Sequence, residues 1–190
     1  LKVQGKPILQ HIIEGLRDTG VTDILIIVGW RAEVVRDFFN DGAALGVRIV
    51  YETQILQDGT GKVVELAEKF CGHDPFVLSY GDILVDPENY RHLTTPAAAS
   101  AAIISVKKNE DVSKGGAVFV NDRGEMTDLR EKPQPGEPTS PWYNAGIYAF
   151  RASIFDFIRH LERSPRGEFE LTDAIRALAQ SGKKVQVLEL

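Results

Sequence analysis

Three short regions carry residues whose types and spacing could do chemistry. In FVLSYGDILVD (76–86) an apolar run is broken by Gly81-Asp82 and then resumes. A glycine lets a ligand approach the backbone, and an aspartate offers a hard oxygen suited to Mg²⁺. The same pair also makes an ordinary turn. In QDGTGKV (57–63), Gly59, Thr60 and Gly61 precede a helical pattern. A phosphate or nucleotide would find amide donors at that helix N-terminus, while a Thr60 N-cap is the plainer alternative. The stretch departs from the P-loop, because Val63 stands where a Ser or Thr must follow Lys62. Finally, LREKPQ and YNAGIYAF supply Glu131, Lys132 and Asn144, a carboxylate, an ammonium and a carboxamide. That set suits a ligand rich in hydroxyls and carrying a phosphate, although each residue alone is equally at home on a solvated strand end.

The elements that must position these residues follow from hydrophobic periodicity. Ile8, Leu9, Ile12, Ile13 and Leu16 recur at helical spacing, with Pro7 in the first turn and Gly20 at the exit. DILIIVG is a continuous apolar run, as expected of a strand buried on both faces. AEVVRDFFN predicts a helix with Val34, Val35, Phe38 and Phe39 on one stripe, and VRIVY predicts a strand. GKVVELAEKF predicts a helix turning Val63, Val64, Leu66, Ala67 and Phe70 inward, and PFVLSY a parallel strand. This alternation implies an α/β fold with a doubly wound sheet. Gly81-Asp82 then falls at a carboxyl strand end, where open α/β sheets bind ligands. The second half adds strands at SAAIISVK, GAVFVND, MTDLREK and WYNAGIYAF, helices at SIFDFIRHLE and TDAIRALAQ, and a Pro-rich surface loop, KPQPGEPTSPW. Antiparallel strands and a lid-like insertion are therefore expected there.

Bulk properties narrow the function classes. A length of 190 residues allows one sizeable core and predicts a single domain. A net charge of -5 gives no basic surface for nucleic acid or anionic lipid. No apolar run approaches the roughly 20 residues that span a bilayer. The single cysteine, Cys71, rules out an internal disulfide and fits a reducing, cytoplasmic setting. Trp30 and Trp142 are compatible with a homo-oligomeric contact or with ordinary surface positions.

In this order, GKPILQHIIEGLRDTGVTDILIIVGWRAEVVRDFF, DGTG, YGD, EKP, YNAGIYAF and GEFELTDAI resemble the sugar-phosphate nucleotidyltransferases. That family includes glucose-1-phosphate thymidylyl- and uridylyltransferases and mannose-1-phosphate guanylyltransferases. The resemblance implies a Rossmann-like mixed, mostly parallel sheet flanked by helices. It also implies a reaction joining a nucleoside triphosphate to a sugar 1-phosphate with release of pyrophosphate. Carried over residue by residue, Asp82 is the metal ligand for Mg²⁺. Gln54 is the base contact, which favours UTP or dTTP, and Gly59, Thr60, Tyr80 and Gly81 surround the nucleotide. Gly116, Glu131 and Asn144 meet the sugar, Lys132 meets the sugar phosphate, and Thr172 lines the sugar end or caps the helix DAIRALAQ.

Departures from the family pattern concern both ends of the sequence. The resemblance implies an opening strand with a Gly-x-Gly-x-Arg loop and a Pro-Lys pair before LKVQGKP, and a second metal-binding aspartate after VQVLEL. Neither is in the sequence. The 190 residues are accordingly expected to be a single domain lacking its N-terminal strand and C-terminal end, inactive by themselves. Two other readings remain at this stage. One is a non-catalytic regulatory relative, and the other is a glycosyltransferase, although its Asp-x-Asp pair is absent from the strand end at Asp82.

Overall fold

A computed structural model describes residues 1–95 and 100–190. The chain opens with a two-strand hairpin, β1 (Lys2–Val3) and β2 (Lys6–Pro7), and runs directly into α1 (Ile8–Arg17). Then come β3 (Asp23–Val28), α2 (Ala32–Phe39), β4 (Arg48–Thr53), α3 (Thr60–Glu65), α4 (Glu68–Cys71), β5 (Phe76–Ser79) and α5 (Glu88–Thr94). The second half holds β6 (Ala102–Lys107), β7 (Gly116–Val120), β8 (Met126–Glu131), β9 (Trp142–Phe150), α6 (Ile154–Ile158), α7 (Leu171–Gln180) and β10 (Val185–Glu189).

The sheet is mixed and flanked by helices, as expected. Its main body runs β10-β6-β9-β7-β8, with β5 also on β9. β10 is parallel to β6, whereas β9 is antiparallel to β5, β6 and β7. The parallel share is therefore smaller than the alternation of the first half implies. Strands joined by a helical crossover come out parallel, as β3 and β4 do across α2. The β7–β8 hairpin has no such crossover and must run antiparallel.

Alternation along β9 separates two cores. Tyr148 and Phe150 pack with α6 and α7 residues such as Ile154, Phe155, Leu171 and Ile175. Ile147 and Ala149 pack instead with Ile12 and Leu16 of α1 and Tyr90 and Leu93 of α5. Successive side chains on a strand face opposite ways, so α6 and α7 cover one face and α1 and α5 the other. Tyr148 and Ile147 are both 0% exposed. Each such side chain contributes on the order of 1.5–3 kcal/mol by leaving water.

Three expectations are corrected. On α2 only Phe39 is buried, while Val34 and Phe38 are 48% and 54% exposed. The helix lies over nothing wider than the β3–β4 pair, which is too narrow to cover its whole apolar stripe. The predicted helix after Gly61 is two short ones, and Leu66 sits exposed at the break between them. The strand at 76–79 is antiparallel to its partner β9 rather than parallel.

β3 and β4 form a separate pair. β3 bonds only to β4, and β5 only to β9, among the described residues. Between the two strands runs a slot of about 980 Å³. Its lining includes Leu25 and Ile26 of β3, Ile13 of α1, Val64 of α3, and Val77 and Leu78 of β5. Apolar walls and unbonded strand edges on both sides are the features of a place for extended backbone.

Candidate active site

The site is built where one edge of β9 changes partner. Its C-terminal half pairs with β5, Ser79 opposite Ile147. Its N-terminal residues pair with β7, Ala117 opposite Tyr143. Between these registers lie Asn144, Ala145 and Gly146, facing the end of β5 and the start of β7. Gly146 has φ +76, and a Cβ there would fall 2.7 Å from the Tyr80 ring. Its carbonyl accepts the Tyr80 N–H at 3.2 Å, which extends β5 by one residue and delivers Gly81-Asp82 to the gap.

Asp82 is exposed, has no hydrogen-bond or ion-pair partner among the described residues, and follows Gly81, around which there is open space. No group of three or more His, Cys, Asp or Glu side chains among the described residues could hold a metal. A single free carboxylate suits an ion such as Mg²⁺ that takes its remaining ligands from phosphates and water.

The 57–63 loop is fastened to the segment before α7. Gly59, at φ +121, precedes α3, the Phe169 N–H donates to the Asp58 carbonyl at 2.8 Å, and the Gly61 N–H donates to the Phe169 carbonyl at 2.8 Å. Thr60 does not cap α3, which begins at Thr60 itself. Its Oγ1 instead accepts the Leu171 N–H at 3.0 Å, serving a free amide of the first turn of α7. Gln54 follows β4, its N–H donating to the Val28 carbonyl at 2.8 Å, and its side chain is unbonded among the described residues.

On the other side, Gly116 opens β7 and lies opposite Glu131 of β8. A Cβ at Gly116 would be 3.1 Å from Asn144, so the three residues are immediate neighbours. Burial, reinforced by the Glu170 carboxylate, holds the Glu131 carboxyl above its ordinary range, against the pull of Arg166. Lys132 is exposed, at φ +44, and its N–H donates to the Gly115 carbonyl at 2.5 Å. Its ammonium has no hydrogen-bond or ion-pair partner among the described residues, and its charge favours the ionised Glu131 carboxyl. Thr172 lies inside the first turn of α7, which starts at Leu171 after Glu170, so the N-cap alternative for Thr172 is not realised. Its hydroxyl is buried without a close hydrogen bond, near enough to Glu131 to favour the ionised carboxyl.

Gly81, Asp82, Gly116, Glu131 and Asn144 are thus gathered at the β9 gap, with Thr172 beside Glu131. Tyr80, immediately before Gly81, joins them, and Thr60 lies beside Tyr80. Gln54 lies on the separate β3–β4 pair, at its carboxyl end. Sequence reasoning missed Arg166 and Glu170, which pair at 2.6 Å, with Glu131 3.9 Å from the same guanidinium. Both lie in or next to GEFELTD, but nothing in that motif distinguishes them from the solvated charges around it.

Comparisons with known proteins bear on the fold and the family. The chain is 34% identical over 183 residues to the low-salt glycan biosynthesis nucleotidyltransferase Agl11 of Haloferax volcanii, covering 95% of this chain and 50% of that one. It is 30% identical over 193 residues to the UTP–glucose-1-phosphate uridylyltransferase AglF of the same organism, covering 100% of this chain and 78% of that one. A Bacillus anthracis crystal structure described as a glucose-1-phosphate thymidylyltransferase, in complex with a sucrose, superposes with a TM-score of 0.83 at 27% identity, over 100% of this chain and 76% of that one. The chain spans about half the length of several of the curated relatives it matches. Residues 1–189 match the family model for nucleotidyl transferases, and the chain belongs to that family.

Proposed function

We propose that the protein transfers a nucleotidyl group from UTP or dTTP to a sugar 1-phosphate, releasing pyrophosphate. The observation that carries this reading is the convergence of Gly81-Asp82 with Gly116, Glu131 and Asn144 at the β9 gap. On this reading the Asp82 carboxylate at the end of β5 would serve the phosphates, and the groups at the start of β7 and end of β8 the sugar hydroxyls. The pyrimidine preference rests on Gln54 and on relatives named for uridylyl and thymidylyl transfer.

A sugar-phosphate oxygen would attack the α-phosphorus in line, forming one P–O bond while the bond to the β-phosphate oxygen breaks and pyrophosphate leaves. The protein's work is then positioning and charge neutralisation. Gly59 and Thr60 would hold the nucleotide, with Tyr80 and Gly81 beneath it. Lys132, extended from its left-handed turn, would meet the sugar phosphate, while Glu131, Asn144 and the Gly116 backbone meet the hydroxyls, with Thr172 at that end. Asp82 would hold Mg²⁺, which would neutralise phosphate charge. The slot between β3 and β5 supports a further strand in the active molecule, and therefore a longer chain. The single cysteine, half-buried Cys71, suits a reducing cytoplasm. No helix among the described residues is long and apolar enough to cross a membrane.

The test is pyrophosphate release by the full-length protein with Mg²⁺, across UTP, dTTP and GTP and several sugar 1-phosphates. Turnover with a pyrimidine nucleotide is expected, and background release with every pair would overturn the reading.

A further inference from the structure

Three of the residues assigned to the nucleotide and sugar ends, Thr60, Tyr80 and Asn144, are linked through one that sequence reasoning did not single out. Tyr148 lies on β9, 0% exposed, its ring stacked on Phe150 with centroids 5.4 Å apart. A phenol this deeply buried needs partners for its hydroxyl. On one side the Asn144 Nδ2 donates to the Tyr148 Oη at 2.8 Å. On the other lies Tyr80, its ring edge to face with that of Tyr148 at 6.2 Å and its hydroxyl close to the Tyr148 hydroxyl. Tyr80 in turn neighbours Thr60, whose hydroxyl oxygen accepts the Leu171 N–H at 3.0 Å.

The path Asn144–Tyr148–Tyr80–Thr60–Leu171 crosses β9, the end of β5, the start of α3 and the start of α7. It also fixes the Asn144 carboxamide. With Nδ2 committed to Tyr148 and Oδ1 accepting the Gly146 N–H at 3.3 Å, the amide has one orientation and one free N–H. The buried Asn144–Tyr148 bond is costly to break, because the remaining polar atom is left unpaired in a poor solvent.

We propose that Tyr148 is a positioning residue. It orients Asn144 toward the sugar and, through Tyr80 and Thr60, couples that orientation to the nucleotide loop. The proposal rests on the functional reading above for what the two ends bind, but not for the relay itself. Tyr148→Phe keeps the stacked ring and removes only the hydroxyl, so the fold is retained.

The test uses the full-length protein in two parts. In steady-state kinetics, Tyr148→Phe is expected to lower kcat/KM for the sugar 1-phosphate about tenfold, mostly through KM, with a thermal midpoint only a few degrees lower because the Asn144 amide loses its acceptor. Combined with Asn144→Ala it should add little to the loss from Asn144→Ala alone, as residues acting in one unit do. Independent losses that multiply, or wild-type kinetics in Tyr148→Phe, would overturn the proposal. In two-dimensional NMR, Tyr148→Phe should shift the Asn144 side-chain amide together with the Leu171 backbone amide. Shifts confined to β9 would overturn the coupling whether or not the protein turns over. An inactive wild type with the long-range shift intact would instead sink the functional reading and leave the relay standing.

Discussion

Gly59 and Phe169 meet backbone to backbone, although the sequence separates them by more than half the chain. A Cβ added to Gly59 would fall 2.5 Å from the Phe169 nitrogen and closer still to its carbonyl oxygen, at a φ of +121 that other residues avoid. Gly59→Ala is therefore expected to cost ~3 kcal/mol or more, from strain and from parting the loop from α7. Thermal melts should show a fall of several degrees, with a raised KM for the nucleotide. Gly124→Ala supplies the comparison, since it has φ +72 with nothing within 4 Å and meets only the conformational cost.

Asp82 separates stability from function. Exposed and unbonded among the described residues, it can become asparagine within about 0.5 kcal/mol of the original stability. If it holds the metal, Asp82→Asn should still lower kcat/KM by about 10² or more. Chelation with EDTA should abolish turnover by the original protein and Mg²⁺ should restore it. Paired melting curves and pyrophosphate assays check both halves.

Glu131 gives a pH dependence with a definite sign. Burial, and then Glu170, raise its folded carboxyl above the unfolded value. The folded state therefore holds that proton more tightly. The associated stability is fully present below the unfolded pKa of about 4.3 and is lost as pH rises through the folded value. Glu131→Gln should thus melt above the original protein at neutral pH and converge with it in acid. The same substitution should raise KM for the sugar 1-phosphate. Melting midpoints between pH 4 and 8 would settle the sign.

The slot between β3 and β5 predicts a pattern of hydrogen exchange. In the isolated 190-residue polypeptide, amides on the β3 and β5 edges that face the slot should exchange orders of magnitude faster than those of β9. In a longer chain that fills the slot with a strand, both sets should be protected alike. Equal protection in the isolated polypeptide would show that the slot closes by itself.

Most of the fold was legible because the strands are short apolar runs bounded by Gly, Pro and Asp, and α1 and α7 keep helical spacing. The direction of β9 was not, since NAGIYAF reads the same whichever way its neighbours run. Nor was the exposed half of α2, because an apolar stripe does not disclose how wide a surface it will meet. Within the site, Asp82 and Gly59 were visible through local sequence, one interrupting a strand and the other opening a helix. Tyr148 was hidden in an apolar run where a phenol looks like core. Arg166 and Glu170 owe their importance to Glu131, a neighbour made only by folding, and Thr60 serves α7 rather than its own helix for the same reason.

The shared edge of β9 bears on how this protein can diverge. β5, which delivers Asp82, and the β7–β8 hairpin, which delivers Gly116 and Glu131, lie end to end on that edge and do not pair with each other. If the proposed sites hold, the hairpin could be exchanged for a relative's, altering which sugar is accepted, while the strand assigned to the nucleotide keeps its register. On that reading sugar choice would be a replaceable cassette, docked on a chassis that keeps the nucleotide chemistry constant.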